Sequence, residues 1–189
     1  MDDYTSYKRF LAGDNSGLEE LVERHNAGLI RFLMTYVHDP WLAEDLAADS
    51  FALLMIRKPR FREESSFKTW LYRIGRNQAL DELRRTKRRS ETPLDETYGA
   101  EMLDDSFWCG EERIVEALDR RGEQQELWRA LAAMRPDYQA VLRLIYDGSL
   151  SYRETARVMG RTEKQIRNLA YRAREQLKSA VGAGEEESQ

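Results

Sequence analysis

Residues 61–89, FREESSFKTWLYRIGRNQALDELRRTKRR, govern how the rest of the chain is read, because they set aromatic side chains among dense positive charge. From Phe67 onward, Phe67, Leu71 and Ile74 recur at i, i+4 and i+7, the spacing that turns one helical face toward a core. Arg73, Arg76, Asn77 and Arg84 recur on another face. One face packs and the other is left to bind. Between Arg57 and Arg89 there are 12 Lys/Arg against 4 Asp/Glu, a local charge of +8 in a chain whose total is −4. That asymmetry calls for a polyanionic partner or an acidic neighbour. Aromatics beside it suit opened DNA, whose unstacked bases offer faces to stack on.

The remaining charge comes in blocks. Residues 1–56 sum to −6, residues 90–126 carry 3 basic and 12 acidic groups for −9, and residues 150–180 carry 8 and 3 for +5. Two basic blocks are therefore separated by an acidic connector. With 189 residues, 41% of them hydrophobic, the chain can bury one ordinary core or two small ones, and this segmentation favours two. No run approaches the roughly 18 apolar residues that span a bilayer. The start MDDYTSYKRF lacks the basic-then-apolar order of a signal peptide, so we expect a cytoplasmic protein with no membrane insertion. A single cysteine, Cys109, and two isolated histidines, His25 and His38, give neither an internal disulfide nor a ligand cluster. The paired acids Glu63-Glu64 and Asp104-Asp105 read as solvated charge, and there is no Gly-rich phosphate loop. We expect no cofactor, no metal and no catalysis.

Helical spacing runs through Leu18, Leu21, Val22, His25, Leu29, Phe32 and Leu33, predicting a long amphipathic helix over about 17–37 with His25 packed and neutral on its apolar face. Asp39 then caps, and Pro40 opens, a second helix through WLAEDLAADSFALLMIRK. In it Leu42, Leu46, Leu53 and Leu54 face inward, leaving Glu44, Asp45 and Asp49 as an acidic edge with Phe51 close by. Ser65 or Ser66 is placed to cap the helix from Phe67. After Arg89 the periodicity fades into an acid-rich linker over 90–126. Within it the sequence allows a short helix near 111–118, Trp108 and its apolar neighbours are candidate anchors, and Cys109 sits among acids that disfavour a reactive thiolate.

From Leu127 the pattern resumes. Leu127, Leu131 and Met134 precede a Pro136 start, and Tyr138, Val141, Leu142 and Ile145 follow at helical spacing before Gly148. Ser151 with Glu154, and Thr162 with Gln165, both have the capping-box form, and Gly160 separates the two short helices they begin. In the second, Ile166, Ala170, Ala173 and Leu177 point to a core while Lys164, Gln165, Arg167, Asn168, Tyr171, Arg172 and Arg174 point outward. This is the form of a helix-turn-helix, a supporting helix followed by one whose first half carries long polar donors for base edges and phosphates. The last residues, GAGEEESQ, lack apolar anchors and read as a disordered acidic tail over 181–189.

FREESSFKTWLYRIGRNQALDELRR, the preceding AEDLAADSF, and the terminal LWRALAAMRPDYQAVLRLIYDGSLSYRETARVMGRTEKQIRNLAYRAREQL together resemble the bacterial extracytoplasmic-function (ECF) sigma factors, from about Leu18 to Leu177. The resemblance implies an all-α protein of two small helical domains. A sigma region 2-like bundle would occupy 1–89 and a region 4-like helix-turn-helix 127–180. It implies a non-enzymatic promoter-specificity subunit that partners core RNA polymerase and promoter DNA, both duplex and non-template single strand, and commonly an anti-sigma factor. By the same match Asp45, Asp49 and Phe51 would meet the beta-prime coiled coil, the second domain would meet the beta flap, and the linker would thread the polymerase's positively lined channels. Phe61, Ser65, Ser66, Phe67, Ile74 and Asn77 would line or border a pocket for a flipped base of the minus-ten element, with plain core the alternative for Phe67 and Ile74 and core favoured over base contact for Trp70. Arg73, Arg76, Arg84 and Arg85 would neutralise phosphates.

Lys164, Gln165, Arg167, Asn168, Tyr171 and Arg172 would read the minus-thirty-five element. Where many relatives have a Gly-Thr-Val step and a Ser-Arg pair, this chain has Lys164-Gln165-Ile166 and Asn168-Leu169, and Ala48 stands where Gln is frequent. We therefore expect an individual promoter preference. Two other classes of function compete with this one: a stand-alone helix-turn-helix regulator that dimerises on duplex DNA, and a sigma-shaped protein that works only by occupying partners.

Overall fold

The start signals in the sequence become helices in the computed structural model, which describes residues 2–59, 61, 65–89 and 130–187. Asp39 accepts the Trp41 and Leu42 N–H groups at 2.9 and 3.2 Å, and Ser66 accepts that of Thr69 at 3.3 Å. The Ser151/Glu154 box closes in both directions, and Thr162 and Gln165 exchange bonds of 2.8 and 3.3 Å. Each cap satisfies amide groups that would otherwise face no acceptor at a helix start. Among the described residues the structure is helical with no strand: α1 (Asp3–Leu11), α2 (Ser16–Val37), α3 (Pro40–Arg57), α4 (Phe67–Arg89), α5 (Pro136–Tyr146), α6 (Tyr152–Met159) and α7 (Glu163–Glu187). No helix is long and apolar enough to cross a membrane.

α1 to α4 form the first bundle. Leu21, Leu29, Phe32 and Leu33 of α2 meet Ala43, Leu46, Ala47 and Leu54 of α3 and Leu71 and Ala79 of α4, all buried. α1 lies outside the periodic pattern read from the sequence, yet it buries Tyr7 and Phe10, and the Tyr7 hydroxyl donates to the Pro59 carbonyl at 2.6 Å. His25 is buried as expected and bonds Asp3 of α1 at 2.8 Å, so a histidine that looked merely packed also pins the first helix. Burial pushes the Asp3 carboxyl upward, but its bonds to His25 and Arg24 prevail and hold it below the usual carboxylate range.

In the second bundle Val141 and Leu144 of α5, Val158 and Met159 of α6, and Ile166, Ala170 and Ala173 of α7 share a core. Gly160 ends α6 with φ +63°, the left-handed backbone a side chain disfavours, and so sets the angle at which α7 departs. α7 runs to Glu187, through most of the segment that the sequence reads as an acidic tail. The linker, Cys109 and the short helix near 111–118 lie outside the described residues.

The two bundles touch. α6 packs across the first turns of α4, and α5 packs on α2. The Glu154 carboxylate accepts the Ser66 hydroxyl at 2.8 Å and the Thr69 hydroxyl at 3.3 Å, so the residue that caps α6 also clasps the start of α4.

Candidate nucleic-acid interface

Helical geometry sets which residues of α4 share a surface. At 100° per residue Ser66, Trp70, Arg73, Asn77 and Arg84 fall in one stripe along the helix. Ser66, Arg73, Asn77 and Arg84 are exposed, and Trp70 is half-buried. Ser66 and Asn77 are eleven residues apart, about 16 Å by helical rise. They border successive parts of a strand and do not hold the same atom of one base. Arg84 pairs with Asp81 at 2.9 Å and Arg85 with Glu82 at 3.6 Å, both in solvent, where such pairs exchange readily for phosphate.

The structure places the other expected residues of this site as follows. Phe67 is 2% exposed, ringed by Tyr7, Phe61, Trp70 and His25 at centroid distances of 5.5 to 6.1 Å, so it backs the surface and offers no face to a nucleotide. It stands at the start of the Phe67–Leu71–Ile74 stripe, and the packing need of that stripe wins. Phe61 and Trp70, tilted 37° to one another with ring centroids 5.4 Å apart, are only half-buried. Arg76 turns off the exposed stripe and donates to the Tyr36 hydroxyl at 3.2 Å, with its guanidinium over the same ring. Burial raises the Tyr36 pKa, partly offset by Arg76, which keeps the phenol protonated and the contact neutral at one end. Ser65 and Ile74 are half-buried, with Ile74 packed against the core.

On α7 all six expected reading residues, Lys164, Gln165, Arg167, Asn168, Tyr171 and Arg172, are exposed. Ile166, Ala170 and Ala173 anchor the opposite face, so the helix presents a fixed edge. Arg167 pairs with Glu163 at 2.6 Å and lies over the Tyr152 ring, while Arg174 donates to the Tyr146 and Tyr152 hydroxyls at 3.3 and 3.4 Å. These bonds orient two cations before any ligand arrives, which lowers the ordering cost of binding.

α3 presents a third surface. Asp45 and Asp49 are exposed as expected, but Phe51 is 7% exposed. It shares a stripe with Ala43, Ala47 and Leu54, four buried residues at i−8, i−4, i and i+3, so it serves the core. The exposed apolar side chains are Trp41 and Ile56, each 76% exposed, and Met55 at 53%. They lie on the acidic face. The sequence reading named Phe51 and not these three, although their place in the Asp45–Asp49 register was available in the sequence. Among the described residues no group of histidine, cysteine or carboxylate side chains could hold a metal ion.

The comparisons with known proteins agree with this layout. Sigma-70 region 2 matches residues 21–89 and Sigma-70, region 4 matches residues 124–177. The ECF RNA polymerase sigma factor SigM of Bacillus subtilis is 26% identical over 168 residues, covering 88% of this chain and 96% of that protein. The ECF RNA polymerase sigma factor SigC of Mycobacterium tuberculosis is 30% identical over 169 residues, covering 87% and 83%. Among solved structures, CnrH in complex with the cytosolic domain of CnrY superposes with a TM-score of 0.66 at 20% identity, covering 96% of this chain and 97% of that one. The sigma factor RpoE bound to the anti-sigma factor NepR from Bartonella quintana gives 0.63 at 20% identity, covering 87% and 96%. With both regions matched in order and relatives aligned over nearly their whole length, this chain belongs to the ECF RNA polymerase sigma factors.

Proposed function

We propose that this protein acts in the cytoplasm without catalysing a reaction, directing core RNA polymerase to promoters through three surfaces. α7 reads the minus-thirty-five duplex, the α4 stripe holds the parted minus-ten strand, and the outward face of α3 docks on polymerase. The observation that carries this reading is the separation of two cationic, polar faces on two bundles of one chain, α4 and α7, each anchored from behind by its own core. Stacking on the accessible parts of the Phe61 and Trp70 rings and bonding at Asn77 can supply roughly 1–3 kcal/mol per base toward keeping the duplex open. Polymerase contacts supply the rest. Transcription in vitro over a randomised promoter library, with and without this chain, tests the reading: enrichment of paired motifs that depends on both chain and core polymerase is expected. A dimer protecting a palindrome without polymerase would replace it with a stand-alone regulator.

DNA engagement on this scheme requires the bundles to part. Elements named for positions 25 base pairs apart lie about 85 Å apart along B-DNA at 3.4 Å per pair, whereas Ser66 and Glu154 are in hydrogen-bond contact. Forty residues separate the described parts of the two bundles, and fully extended they reach at most roughly 130–140 Å, enough to bridge the elements. The contact between the bundles is therefore a resting arrangement. Burial pushes the Glu154 carboxyl upward, but bonds from Ser151, Ser66 and Thr69 prevail and hold it below its ordinary value of 4.5. A depressed carboxyl contributes stability that is present above its unfolded value and lost as pH falls through the folded one. The clasp should accordingly loosen below about pH 4.5, seen as a rise in radius of gyration by X-ray scattering. Glu154→Gln should give the expanded form at neutral pH as well.

A further inference from the structure

The seam between the bundles encloses a cavity of about 210 Å³, walled by α2 and α4 on one side and by the end of α5 and its following turn on the other. Its charge is lopsided. Arg24, Arg31, Lys68 and Arg143 line it with one carboxylate, Asp147; that carboxylate already pairs with Arg143 at 2.9 Å, and Arg24 pairs with Asp3. Neither Arg31 nor Lys68 has an ion-pair partner among the described residues, although both are half-buried. Arg31 acts on both of the other cations. Burial lowers the Lys68 pKa; nearby Asp3 offsets this, and Arg31 deepens it. Burial likewise lowers that of Arg143, Asp147 offsets it, and Arg31 again adds to the lowering. Desolvated cations crowded together in this way cost stability until an anion joins them.

A second feature points into the same space. Tyr72 lines the cavity at 3% exposure, and its hydroxyl bonds no described residue. A Cβ on Gly28 would stand 2.5 Å from that hydroxyl, so the glycine in α2 is what leaves room for it at the cavity wall. An ammonium, a guanidinium and a phenolic O–H, reaching in from two helices, are donors without acceptors. They suit a group with several acceptor oxygens spread around one centre, the geometry of a phosphoryl group and not of a flat carboxylate. At about 30 Å³ per water, the cavity has the volume of roughly seven waters, room for one phosphate or a short polyphosphate.

We propose that this cavity is a binding site for a small phosphate-bearing anion, held by Arg31, Lys68 and the Tyr72 hydroxyl from the first bundle and by Arg143 from the second. Because those groups come from both bundles, the anion binds the closed arrangement and shifts the population toward it. On the function proposed above, which this consequence alone rests on, a rise in that anion would hold the factor away from promoters.

The test uses the full chain and two probes, inorganic phosphate and pyrophosphate, titrated by calorimetry against chloride at constant ionic strength. Saturable binding is expected, tighter for pyrophosphate, with a fall in radius of gyration on saturation. Arg31→Gln and Lys68→Gln should each weaken it at least tenfold. Both variants should keep full helix content and melt no lower than the parent without anion, since each removes an uncompensated cation, and this separates lost binding from lost folding. Heat no greater than that of chloride, or affinity unchanged in both variants, would overturn the site. A single-stranded oligonucleotide that displaces pyrophosphate, and loses affinity in parallel in the same variants, would overturn it too by assigning these cations to the DNA path. These readouts do not involve transcription, so failure of the site and failure of the sigma function are told apart.

Discussion

Phe67→Ala is expected to cost about 3–5 kcal/mol of folding stability, the usual range for emptying a buried aromatic site, while Asn77→Ala should change stability by less than about 0.5 kcal/mol. The contrast follows from position alone. Phe67 sits in a cage of Tyr7, His25, Phe61 and Trp70, drawn from three helices and the segment before α4, and its removal leaves a void that none of these rings can fill without breaking another contact. Asn77, three turns away, is exposed and bonds nothing described. Its loss should appear elsewhere, as a fall in promoter opening worth about 1–3 kcal/mol, roughly five- to 150-fold, with duplex binding by the holoenzyme nearly intact. Urea unfolding and permanganate reactivity of the promoter measure the two effects on the same proteins. Asn77→Ala reducing opening and duplex binding equally would remove the single-strand role of α4, and Phe67→Ala unfolding at the parent midpoint would contradict the burial described.

The two residues also show how far sequence reading reached. Helix existence, the capping boxes and the exposed polar face of α7 were legible, because polar caps and a 3.6-residue apolar period depend on neighbours a few positions away. The packing of Phe67, Arg76 and Phe51 could not be read locally, because it depends on what arrives from far along the chain. Tyr7 of α1 closes over Phe67, Tyr36 of α2 captures Arg76, and the α3 core stripe claims Phe51. α1 is nine residues whose apolar positions carry too short a run to register as a period, yet it completes the first core. The clasp between Glu154 and Ser66 spans 88 positions and links two residues already explained as helix caps, so no local signal marked it. Local chemistry specified the pieces, and long-range packing decided which aromatic or cation was free to act.

The same dependence on packing bears on the polymerase-docking face proposed for α3, and the second large effect is expected there. Ile56→Glu should weaken binding to core polymerase by about 2–4 kcal/mol, roughly thirtyfold to several hundredfold, the range for an apolar anchor at the centre of an interface. Ile56 and Trp41 are each 76% exposed, with Met55 beside Ile56, and they flank Asp45 and Asp49 on one face about 22 Å long by helical rise. Large apolar side chains standing in water at both ends of an acidic strip gain from burial only when a partner covers them, and the acids between select a basic partner and speed its approach. Charge reversal at Asp49 should therefore slow association and reduce its salt dependence more than it speeds dissociation, whereas Ile56→Glu should act mainly on dissociation. Phe51→Ala provides the contrast: with its ring in the core, it should lower the unfolding midpoint, and any loss of polymerase binding should follow that loss of folded protein. Titration of labelled protein with core polymerase, read by anisotropy beside urea unfolding, separates these outcomes. Undiminished affinity of a folded Ile56→Glu variant would place the docking surface elsewhere than on α3.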